Sequence, residues 1–204
     1  MDEIANALKE ALKEATKWAV DTASAAGAFN DPKLHIPWPA QASSVAEKLR
    51  GIGLGGQVDE FETTMNRAAE QATAGAYTVF SGAIGSMSIA DAKGILNGDD
   101  KAATEYLRQT TSGELKSLMM PVVTEAMESN RVTGLWDDLL RAYNALPLVP
   151  DVALDLPDYV CERANAGMFA LIGEKEADIR DDPLGASSSL VQGVFGWRKA
   201  GRST

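Results

Sequence analysis

The chain has 204 residues, 45% hydrophobic and 24% charged, a balance that supports a packed core and excludes a disordered or collagen-like chain. The formal net charge is -10, which repels phosphate backbones and argues against nucleic acid as a partner. One cysteine, Cys161, excludes an intramolecular disulfide, and no run of about eighteen apolar residues marks a membrane span.

Ile4, Leu8, Ala11, Ala15, Trp18 with Ala19, and Thr22 alternate spacings of three and four. That is one face of a helix, expected to run to about Ala26 and to end at Gly27. Next, Phe29 to Pro39 holds three prolines in eight residues, which excludes helix and favours an extended crossing. Leu34, Ile36 and Trp38 alternate along it and should face the body. His35 is the only histidine and points the other way. It reads as a surface or hydrogen-bonded loop residue. With one distant cysteine it builds no zinc site.

Ser44 and Glu47 form a capping-box pattern for a short helix ended by Gly51, Gly53, Gly55 and Gly56. These glycines make no phosphate loop, since no strand precedes them and no lysine follows Gly56. A long helix is then expected from about Val58 to Met87, because Val58, Phe61, Met65, Ala68, Ala72, Ala76, Val79, Ala83 and Met87 keep nearly unbroken helical spacing. Gly82 and Gly85 suggest a kink near its end. Ser88 and Asp91 form a second capping box, and Asn97-Gly98 ends the brief helix it opens. Asp99 caps a helix from Lys101 to Gln109. Thr111 and Glu114 form a third box, opening a helix to about Ser129 with a kink or break at Pro121. Thr133 caps the helix of Trp136, Leu139 and Tyr143. Asp155 with Pro157 is a strong start for a helix ended by Asp182-Pro183. Cys161 on that helix reads as a small buried apolar residue, because Asp158 and Glu162 have the wrong sign to activate a thiol. A last short helix is expected over Ser188 to Trp197. The pattern therefore predicts an all-α fold: a single-domain bundle of about eight helices around the Val58–Met87 helix, spanning 1–197, with a tail at 198–204.

Several stretches taken together resemble a known, mostly bacterial family. They are Phe29-Asn-Asp-Pro with Ile36-Pro37, Met65-Asn-Arg-Ala-Ala-Glu70, Asp91 to Gly98, Ala103 to Thr111, Ala142 to Pro147, and Asp158-Tyr159-Val160. Ile179-Arg180 with Asp182-Pro183 closes the set. In this order they resemble the domain-of-unknown-function family 4197, from about Ala11 to Gly196. The resemblance implies a small all-helical protein, usually carrying a signal or lipoprotein leader, and it implies no activity. It suggests an exported or periplasmic location with the leader not seen here, the alternative being cytoplasmic.

The densest polar group lies on and after the long helix: Asn66, Arg67 and Glu70, then Asp91, Asn97, Asp99, Asp100, Thr104, Tyr106, Arg108, Thr110 and Thr111, with Tyr143 and Asn144 further on. Arg67 could pair with Asp91 or Asp99, and Arg108 could hold a carboxylate. The leading reading is a network of caps and ion pairs tying short helices together. A pocket for a small anionic or polar ligand comes second. Asn97, Asp99 and Asp100 suit calcium in ligand type but lack EF-hand spacing, so no metal and no cofactor is expected. Catalysis through Arg67, Glu70 and Asp91 is the weakest reading, since no histidine and no nucleophile–base pair lies near them. An apolar groove for lipid is a third class, drawn from the Ala68–Met87 stretch, the aromatic crossing at Trp38, and Met119, Met120 and Met127. The expected function is thus a non-enzymatic ligand-binding or protein-interaction module with an unknown small ligand or protein partner.

Overall fold

The computed structural model describes residues 2–181, with backbone alone for residues 2–4. The helix expected over Ser188 to Trp197 and the tail lie outside the described residues. Among the described residues the fold is all-α, with no strand. Its helices are α1 (Asp2–Ala23), α2 (Ser43–Gly51), α3 (Gly55–Thr73), α4 (Ala76–Ser86), α5 (Ile89–Asn97), α6 (Ala102–Ser129), α7 (Val132–Asn144) and α8 (Leu156–Asp181). No helix among the described residues is long and apolar enough to cross a membrane.

The chain divides into two compact units. Among the described residues, one comprises 2–22, 75–115 and 167–181. The other comprises Ala23–Ala74 and Lys116–Ala166. The stretch expected as one helix from Val58 to Met87 is two helices, broken at Ala74 and Gly75, where the first unit's second segment begins. The apolar period runs on across the break, which is why the sequence conceals it. Gly82 and Gly85 both lie within α4.

Three other local expectations change. No side chain caps α2: the helix begins at Ser43, whose hydroxyl donates to Ala40 O at 2.9 Å. Thr111 opens no helix. It is buried inside α6, where its hydroxyl donates back to Leu107 O at 2.6 Å and so leaves the helical ladder intact. Pro121 also lies within α6, at an exposed position. Thr133 caps nothing, because α7 starts from Arg131 in a left-handed conformation, φ 60°. The Ser88–Asp91 box is present: Asp91 N donates to Ser88 Oγ at 3.1 Å, and Ser88 N donates to Asp91 Oδ2 at 3.0 Å. Asp155 caps α8 by accepting from Asp158 N at 3.0 Å.

In the first unit, Leu8, Ala11, Leu12 and Ala15 of α1 meet Ala103 of α6 and Ile172 and Ile179 of α8 around a cavity of only about 10 Å³. Phe80 of α4 packs edge-to-face on Phe169 of α8, with ring centroids 5.7 Å apart. Each fully buried ring of this kind contributes about 1.5–3 kcal/mol through lost apolar exposure. Trp18, expected on the inward face of α1, is 38% exposed, with the Lys175 ammonium 5.6 Å from its ring centre. Ala15, Thr16 and Ala19 take the core positions instead.

In the second unit α2, α3 and α7 pack against one another, and a short 3-10 turn, Ala28–Asn30, packs on α3. Leu34 and Ile36 are buried and Trp38 is half-buried, as the alternation of the crossing predicts. Gly27, at φ 83°, supplies the left-handed turn that starts this crossing.

Candidate functional site

The polar residues singled out in the sequence divide between the two units. Asn66, Arg67, Glu70, Tyr143 and Asn144 belong to the second. Asp91, Asn97, Asp99, Asp100, Thr104, Tyr106, Arg108, Thr110 and Thr111 belong to the first.

In the second unit, one stripe of α3 clamps the proline-rich crossing. Glu62, Asn66 and Glu70 are four residues apart and so share a face. Asn66 is 3% exposed and pairs with Ile36 as a neighbouring strand would. Its Oδ1 accepts from Ile36 N at 2.8 Å, and its Nδ2 donates to Ile36 O at 3.0 Å. Glu70 accepts from Phe29 N at 3.1 Å in a buried setting. Glu62 lies 2.8 Å from His35 Nε2, while His35 Nδ1 lies 3.3 Å from Phe29 O. Tyr159 of α8 donates to Pro37 O at 2.9 Å, and burial raises its phenol above the ordinary range. Arg67 is exposed and forms no ion pair among the described residues. Tyr143 is fully buried, its hydroxyl 3.4 Å from Ser44 Oγ. Asn144 is exposed at the end of α7.

In the first unit the corresponding anchor is Glu176, which the sequence reading missed. This carboxylate is 5% exposed. It accepts from Ala103 N at 3.0 Å, Thr104 N at 2.8 Å and Thr104 Oγ1 at 2.7 Å, capping α6 from a different helix. Arg180 Nη2 pairs with it at 2.7 Å and donates also to Ile95 O at 3.2 Å. Nothing in the spacing of α8 marks Glu176, because the amides it serves lie more than seventy residues earlier. Arg108 covers the Phe169 ring at 4.7 Å and lies 3.5 Å from Glu105. Thr110 donates back to Tyr106 O at 2.8 Å.

Two larger concave surfaces lie among the described residues. The first unit holds a groove of about 420 Å³ between α5 and the start of α6, lined by Asp91, Gly94, Gly98, Asp99, Glu105 and Tyr106 among others. Its carboxylates are already engaged. The Ser88 hydroxyl and amide hold Asp91 below the usual carboxylate range, Asp99 accepts from Lys101 N at 3.0 Å, and Glu105 accepts from Gln109 at 3.0 Å. Burial, and then the charge of Asp91, raises the Tyr106 phenol, so it stays protonated. Asn97 and Asp100 are exposed near the groove but do not line it.

The second unit holds a larger cleft of about 650 Å³, lined by Met127, Thr133, Trp136, Ala153, Leu154, Asp155, Leu156 and Pro157. Trp136 belongs to an aromatic triad with Phe61 and Trp38. Its ring lies 5.3 Å from Phe61 and 5.8 Å from Trp38. The Trp38 indole N–H is buried and finds no acceptor among the described residues. Leu148, on the loop that leads to Ala153 and Leu154, is fully exposed with φ 58°. The helical period marked Trp136 as core, and it could not reveal that one side of the ring borders a cleft.

The fold and these surfaces define an all-helical protein whose interior polar groups hold backbone. The chain belongs to the family described as protein of unknown function (DUF4197), whose model matches residues 1–196. No curated protein and no solved structure matches the chain.

Proposed function

We propose that this is a non-catalytic binding protein that receives an apolar group of a ligand or protein partner in the Trp136 cleft. One observation carries the reading: a cleft of about 650 Å³, walled by Met127, Trp136, Leu154, Leu156 and Pro157 with few polar groups. Binding sites for small molecules have this size and this mostly apolar lining. The residues an enzyme reading would need give it no support. Glu70 is committed to Phe29 N, Asp91 to the Ser88 cap, and Arg67 faces solvent. An acyl chain is the lipid form of the same occupant, favoured by the adaptable Met127 side chain on the mostly apolar wall.

The test is a fluorescence titration with Nile red, a neutral apolar dye. Saturable binding is expected, and both Thr133→Trp and Ala153→Trp should remove it. Both positions are exposed, so the larger ring fills the cleft without disturbing the core. Absent binding, or binding unchanged in both variants, would sink the proposal. Native mass spectrometry of the purified protein separates a retained acyl lipid from an empty cleft awaiting a protein segment.

A further inference from the structure

Asn97 is the last residue of α5, and of the seven asparagines in the chain it alone is followed by glycine. Its side chain is exposed. Packing fixes the glycine. A Cβ at position 98 would lie 2.5 Å from Ala102 Cβ and 3.2 Å from Gly94 O, so no side chain fits there. The residue after Asn97 therefore cannot acquire the bulk that would shield its amide nitrogen. Gly98 has already left the helix, with φ -76° and ψ -173°. Its N–H is held by a terminal bond to Ile95 O at 3.2 Å, the kind that opens when a helix end frays. Ile95 O keeps a second donor, Arg180 Nη2 at 3.2 Å, so fraying leaves that carbonyl paired.

We propose that Asn97 is a site of spontaneous conversion to aspartate and isoaspartate. The Gly98 amide nitrogen attacks the Asn97 side-chain carbonyl carbon, and a new C–N bond closes a succinimide ring. The bond from that carbon to Nδ2 breaks, and the nitrogen leaves as ammonia with the proton given up by the amide. Water then opens the ring at either carbonyl. One opening gives aspartate, and the other gives isoaspartate with one extra methylene in the backbone. The product carboxylate stands next to Asp99 and Asp100 at the carboxyl end of a helix, where negative charge is disfavoured. Gly98 and Asp99 line the α5–α6 groove, so conversion alters its edge.

The experiment incubates the folded full chain at mildly alkaline pH and physiological temperature, with peptide mapping by mass spectrometry. An isoaspartyl methyltransferase assay reports the isoaspartate. The expected result is loss of ammonia and gain of water at Asn97, with isoaspartate present, while the other six asparagines stay intact. The rate should rise with hydroxide, and Asn97→Gln should lose the modification completely while keeping the helical circular dichroism. The proposal is overturned if Asn97 stays intact in the folded chain, whether or not the urea-unfolded chain converts. Equal conversion at the other asparagines overturns it as well.

Discussion

Replacing Glu176 by alanine tests how much of the first unit depends on one buried carboxylate. The side chain accepts three hydrogen bonds from α6 and pairs with Arg180, which is itself 10% exposed. Glu176→Ala leaves two amides at the start of α6 without their acceptor and takes the carboxylate from the Arg180 guanidinium, which keeps its bond to Ile95 O. Hydrogen bonds to a charged group contribute about 1.5–3 kcal/mol each, but these act as one unit and do not add. Breaking a buried pair by deleting one partner costs about 3–5 kcal/mol, and that range is the expected total. At about 2–4 °C per kcal/mol for a chain of this length, the melting temperature should fall by about 6–20 °C. Urea unfolding followed by circular dichroism gives the free energy. Arg180→Ala and the double variant complete a cycle in which the second deletion costs much less than the first. A loss below about 1 kcal/mol for Glu176→Ala, an ordinary surface value, would refute the reasoning.

Three further outcomes follow from the geometry. Asn66→Ala should cost about 2–6 kcal/mol in urea unfolding, since it orphans both backbone groups of Ile36 at about 1–3 kcal/mol each; an effect below about 0.5 kcal/mol would show that the crossing does not need the clamp. Asp91 has a lowered folded pKa, so its contribution is present above the ordinary carboxylate value and is lost as pH falls through the folded one. Ser88→Ala should therefore lower the melting temperature at neutral pH, and the gap to wild type should narrow in acid below the carboxylate range to the part carried by the lost Asp91 N–Ser88 Oγ cap bond; a gap independent of pH contradicts this. Burial raises the Cys161 thiol, so iodoacetamide should label it slowly in the folded chain and fully in urea, and rapid labelling of the folded chain would count against its burial.

The sequence disclosed the fold class through helical spacing, and it disclosed those boundaries that short-range chemistry sets. The Ser88–Asp91 and Asp155 caps were legible because donor and acceptor lie three residues apart. The break at Ala74–Gly75 was not, since the apolar period of α3 continues into α4. Thr111 was misplaced because one hydroxyl can cap a helix start or bond back to the preceding turn, and only the surroundings choose. Asn66 and Glu70 stood out as polar residues beside an apolar stripe, but their partners, Ile36 and Phe29, are backbone groups thirty or more residues away. Glu176 is the extreme case. The Trp136 cleft escaped for a related reason: Met127, Trp136 and Leu154 come from three separate stretches that only the fold assembles.

The most direct measurement of the binding proposal is chemical-shift mapping by NMR on methyl-labelled protein titrated with a medium-chain fatty acid. The account predicts saturable shifts at the methyls of Met127, Thr133, Ala153, Leu154 and Leu156, with Ala103, Ile172 and Ile179 unmoved. Shifts centred on Ala90, Ile95 and Ala102 of the α5–α6 groove, or none at the cleft, would contradict it.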